Sequence, residues 1–151
     1  MRPLVLALAL AACGTHDHGD DDPVDCSTVT GVDTFVVGLE KVGNSGALDF
    51  KMMSATPAPP ARGNNTWLFQ IHTMNSGVVG APLEGATIQV TPFMPAHQHG
   101  TGVPVEITPM TDPGSYELSP VNLWMQGVWE ITIQASSGAT SDTVVYKFCV
   151  D

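Results

Sequence analysis

The sequence predicts an all-β protein: an antiparallel β-sandwich of seven to eight strands. Three observations predict it. Apolar and polar residues alternate with period two in segment after segment of the 151-residue chain. Clusters of Gly, Pro, Asn and Asp punctuate those segments at the spacing of short strands. No stretch carries an apolar stripe of helical period, and a load of 15 Gly and 12 Pro argues against bundles and coiled coils.

The strands follow in order. Phe35, Val37 and Leu39 alternate with Val36, Gly38 and Glu40, and Asn44-Ser45-Gly46 turns the chain. Leu48, Phe50 and Met52 alternate with Asp49, Lys51 and Met53. The run from Thr56 to Gly63 holds Pro57, Pro59 and Pro60, which cannot donate to a ladder, so it is a loop. Trp67, Phe69 and Ile71 form one face of the next strand, which Asn75-Ser76-Gly77 ends. Ala86, Ile88 and Val90 alternate with Thr87, Gln89 and Thr91. Val103, Val105 and Ile107 follow, then the Thr111-Asp112-Pro113-Gly114 turn, then Tyr116 and Leu118. Trp129, Ile131, Ile133 and Ala135 alternate with Glu130, Thr132 and Gln134, and Val144, Tyr146 and Phe148 close the chain. Such alternation describes sheets with one face buried and one solvated. The remaining Met residues, Met52, Met53, Met74 and Met110, read as packing.

Ahead of these strands the chain reads as an address and a tether. Arg2, the apolar run Leu4–Leu10 and the box Leu10-Ala11-Ala12-Cys13 have the layout of a secretory signal with a lipoprotein processing site. The expectation is therefore a signal peptide over 1–12, lipidation at Cys13, an acidic tether over 13–32 and one domain over 33–151. Ordinary cleavage near Ala7-Leu8-Ala9 is the alternative. Gly14 rather than Asp follows Cys13, which predicts a lipid anchor in the outer membrane of a bacterial envelope, facing the periplasm. The tether segment His16-Asp17-His18-Gly19-Asp20-Asp21-Asp22 has nothing apolar to bury. It reads as a charged spacer, with loose divalent-ion capture as the second reading. In an oxidising compartment, with Cys13 lipidated, Cys26 and Cys149 are left to form a disulfide.

Composition and motifs exclude several functions. With 15 acidic against 5 basic residues and no Lys/Arg run, nucleic acid is not a partner. The chain lacks a phosphate loop, a nucleophile elbow and an HExxH pair, and its five Glu are scattered singly. An enzyme is not expected.

Two stretches carry chemistry. Pro92-Phe93-Met94-Pro95-Ala96-His97-Gln98-His99-Gly100 places two imidazoles two residues apart. In extended chain they share a face and can share one ion, whereas Met94 lies on the opposite parity and joins them only if Pro95 bends the chain. Imidazole suits Cu(II), Zn or Ni, and a thioether selects Cu(I). The same residues also fit a polar loop with no ion. Leu123-Trp124-Met125-Gln126-Gly127-Val128-Trp129 places Met125 just before a strand, as core filler or as a soft ligand.

Taken with the Pro60–Trp67 segment, the Gly85-Ala86-Thr87-Ile88 strand start and Gly114-Ser115-Tyr116, these two stretches resemble the YtkA-like domain family over roughly residues 33–150. The resemblance implies a small exported immunoglobulin-like sandwich that handles copper outside the cytoplasm. It implies Met94, His97, His99 and Met125 as ligand positions for one copper ion. Storage, tolerance or hand-over to an envelope copper protein or oxidase-assembly partner would then be the function. The alternative is a structural or interaction module on a membrane tether. No Met-rich tail or further His cluster accompanies the site, so any site is small.

Overall fold

The computed structural model describes residues 23–151. The expected signal peptide, Cys13 and the His16/His18 tether lie outside the described residues. Among the described residues, ten strands form two antiparallel sheets, and no helix is long and apolar enough to cross a membrane. The strands are β1 (Leu39–Val42), β2 (Leu48–Thr56), β3 (Gly63–Asn75), β4 (Val78–Pro82), β5 (Thr87–Met94), β6 (His99–Gly100), β7 (Glu106–Pro109), β8 (Ser115–Leu123), β9 (Gly127–Ser137) and β10 (Thr140–Val150).

One sheet runs β1-β2-β3-β8-β7, with β4 paired to the far half of β3, and the other runs β10-β9-β5-β6. The fold is the expected all-β sandwich. Its strand count exceeds seven to eight because four of the ten strands are only two to five residues long. Period-two alternation sorts the faces: Trp67, Phe69 and Ile71 of β3 and Trp129, Ile131 and Ile133 of β9 are all buried. Edge-on aromatic contacts join the two sheets, with Trp67 to Phe148 at 5.7 Å and Phe69 to Tyr146 at 5.2 Å. The Tyr146 hydroxyl donates across the core to the Phe50 carbonyl at 2.7 Å.

Four local departures from expectation follow. Residues 35–38 are not strand: Gly38 takes φ +81° and Leu39 N–H donates to the Val36 carbonyl, so a turn precedes a later β1. Val103 and Val105 also lie outside a strand, and β7 begins at Glu106. The unexpected β4 forms a hairpin with β3 through Ser76 and Gly77, both at positive φ. Its residues are exposed throughout, so no alternation marks them in the sequence. Met52 is fully buried as expected, but Met110 is 43% exposed and is not packing.

Two ties hold the N-terminal segment to the sandwich. Cys26, in a single 3₁₀ turn capped by Asp25, is joined by a disulfide to Cys149 of β10. Asp33 accepts from Lys147 N–H and from Lys41 Nζ. The stretch from Pro23 to Val32, expected as tether, therefore begins docking on β10 before the first strand.

Candidate metal site

Both singled-out stretches end at one end of the sandwich. Gly63 of β3 pairs with Leu123 of β8, and Gly127 of β9 pairs with Val150 of β10. Phe93 of β5 pairs with Glu130 of β9. That end therefore gathers the β5–β6 hairpin, the β8–β9 connection and the Cys26–Cys149 link.

The hairpin is built by Pro95 to Gln98. Met94 pairs with His99 across it, His97 N–H donates to the Met94 carbonyl at 3.3 Å, and Gln98 sits at φ +55°. His97 is thus a turn residue and His99 a strand residue, so the shared face of an extended chain does not apply here. A four-residue loop returns the chain, so its curvature rather than strand parity brings the imidazoles together. Their ring centroids lie 5.8 Å apart with planes 39° from parallel. An imidazole nitrogen sits about 2.0 Å from a divalent ion, so two rings on one ion have centroids roughly 5–6.5 Å apart. The observed separation falls in that span.

The surroundings of His99 fix its chemistry. His97 is exposed, whereas His99 is half-buried between two indoles. It stacks on Trp124 at 5.0 Å and 22°, and meets Trp129 edge-on at 6.1 Å. His99 Nδ1 lies 3.1 Å from the Gly100 carbonyl. A carbonyl only accepts, so this contact is a hydrogen bond when Nδ1 carries the proton, and in that neutral tautomer the lone pair available to an ion is on Nε2. No His, Cys, Asp or Glu cluster of three or more that could hold a metal occurs among the described residues. Any ion here rests on two imidazoles and sulfur.

The two thioethers differ in access. Met125 is half-buried on the β8–β9 connection, beside the core. Trp129 Nε1–H donates to the Met125 carbonyl at 2.8 Å, and Arg62 Nε–H to the Trp124 carbonyl at 2.9 Å, so both bonds fix that connection's backbone. Met94 is fully buried, and its methyl lies 3.0 Å from where a side chain on Gly127 would begin. Met94 therefore packs in the core against the first residue of β9, just after the connection that carries Met125.

Trp124 was not singled out from the sequence, yet it is 46% exposed and lies flat against His99. The available signal was an aromatic residue at outward parity after the buried Leu123, directly beside Met125.

No curated protein matches this chain. Among solved structures, a copper-bound variant of FetP from uropathogenic Escherichia coli strain F11 is similar, with 11% identity and a TM-score of 0.48 over 76% of this chain and 95% of that one. A family model matches residues 44–134, a span from the turn before β2 into β9 that contains Met94, His97, His99 and Met125. The chain belongs to the YtkA-like family.

Proposed function

We propose that this protein is a lipid-anchored envelope protein that binds one copper ion for storage, tolerance or hand-over, without turnover. His97 and His99 supply nitrogen and Met125 supplies sulfur, with Met94 beneath as the fourth position. The carrying observation is the pair of imidazoles 5.8 Å apart, one of them with Nδ1 3.1 Å from a backbone carbonyl. A mixed nitrogen and thioether set accommodates both copper oxidation states. A site at the sandwich end with few ligands keeps exchange fast, as delivery to an envelope copper protein or oxidase-assembly partner requires. The anchor is the Cys13 lipid, and several acyl chains on one Cys make such attachment stable.

The second reading is an interaction module without metal. The exposed Trp124 favours it, since an accessible indole at a loop cluster suits a protein contact.

One titration separates the two. The full chain carrying His16→Ala and His18→Ala is titrated with Cu(I) and Cu(II) against a competing chelator, beside the same chain with His97→Ala and His99→Ala added. Near-stoichiometric copper lost in the second chain is the expected result. Absence of binding in the first chain, or equal binding in both, overturns the copper reading.

A further inference from the structure

Trp124 has no role in the core, which Trp67 and Trp129 fill at zero exposure. An indole left 46% in water gives up much of the free energy that burying its apolar surface would bring. Its placement is nevertheless defined at three points. The ring is stacked on His99 at 5.0 Å. Its backbone carbonyl accepts from Arg62 Nε–H at 2.9 Å. Its Nε1–H points to the Gly100 carbonyl at 3.5 Å, the same oxygen that His99 Nδ1 faces at 3.1 Å.

That shared oxygen links the indole to the imidazole. A free imidazole exchanges its proton between the two nitrogens, and only the form with Nε2 unprotonated offers that nitrogen to an ion. The Gly100 carbonyl selects the form protonated at Nδ1, provided the ring lies in the plane that aims Nδ1 at it. Stacking restrains that plane: Trp124 lies 22° from parallel on His99 and Trp129 meets it edge-on, so turning the ring would give up both contacts. Trp124 is also the chain neighbour of Met125, so one connection presents both the stacking surface and the sulfur.

We propose that Trp124 is a positioning residue: it holds His99 in the orientation and tautomer that leave Nε2 open to an ion. The inference rests on the reading of His97 and His99 as an ion site and adds the residue that prepares it.

The test uses the full chain with His16→Ala and His18→Ala as parent, and Trp124→Phe, Trp124→Leu and Trp124→Ala variants of it. Two properties are measured: the ¹⁵N shifts of the His99 ring without metal, and Cu(I) and Cu(II) affinity against a competing chelator. The Phe variant keeps a stacking face and is expected to retain the tautomer, with affinity within about twofold of the parent. Leu keeps apolar bulk without an aromatic face, and Ala keeps neither. Both should show mixed tautomers and affinity lower by about tenfold or more, the range for residues that orient a ligand. Unchanged tautomer or affinity in the Leu and Ala variants overturns the proposal while leaving the copper reading standing. A parent that takes up neither Cu(I) nor Cu(II) overturns the copper reading, and this proposal with it.

Discussion

The methyl of Met94 occupies the space that a side chain at Gly127 would need, 3.0 Å from its first atom. Gly127 also holds φ +123°, which L side chains rarely adopt. Gly127→Ala is therefore expected to destabilise the protein by about 1–3 kcal/mol through strain and overpacking. Met94→Ala alone should cost about 2–5 kcal/mol by leaving a cavity. Because truncating Met94 removes the methyl that an Ala at 127 would press against, the double variant should lose less than the sum. Denaturant unfolding of the four chains measures this, and simple additivity would refute the coupling.

The Cys26–Cys149 disulfide closes a loop with a sequence separation of 123. Loop-closure entropy in the unfolded chain predicts a loss of about 4–5 kcal/mol when both become Ser. Unfolding with and without reductant checks the value. A difference under about 1 kcal/mol would show that the link adds nothing to docking of the N-terminal segment.

Two buried carboxylates should push acid stability in opposite directions. Burial alone would raise the Asp142 carboxyl, but bonds from the N–H groups of Ser45, Thr143, Ala47 and Leu48 outweigh it and hold its pKa below 3.8. A depressed folded pKa contributes stability above the unfolded pKa, lost as pH falls through the folded value. Asp142→Asn should then weaken the protein at neutral pH and flatten the acid limb below about pH 4.

Asp49 is the reverse case. Burial first, then the Glu40 charge, raise it above 3.8 against the opposing pull of His72 and Lys51. Its Oδ1 has no hydrogen-bond partner among the described residues. A raised folded pKa gives stability that is present below the unfolded pKa and lost as pH rises through the folded value. Asp49→Asn should accordingly be neutral or stabilising at pH 7. Unfolding midpoints of both variants from pH 3 to 8 decide the matter, and equal signs would contradict the assignment.

Under the proposed copper reading, Met125 is expected to set a preference between oxidation states. Replacing its sulfur by carbon in Met125→Leu conserves volume, so stability should change by less than about 1.5 kcal/mol. Cu(I) affinity is expected to fall by about tenfold or more while Cu(II) affinity falls less, since imidazole serves both ions and thioether serves Cu(I). Parallel titrations test it, and an equal fall for both ions would remove Met125 from the ligand set.

By itself the sequence determined the sandwich, the inward residues of β2, β3, β9 and β10, the Cys26–Cys149 pair and the two stretches that the fold brings to one end of the sandwich. These follow from local rules: period-two alternation, turn residues and cysteine arithmetic act within a few residues or leave one choice. The tertiary structure alone decided what lies outside such rules. It made a turn of Val36–Leu39, because the left-handed Gly38 bends the chain where alternation continues. It added β4, whose exposed residues leave no apolar signature. It brought His97 to His99 by hairpin curvature rather than parity, buried Met94 beneath Gly127, and laid Trp124 on His99. Those relationships join residues distant along the chain or set by loop curvature, and their geometry exists only once the two sheets have packed.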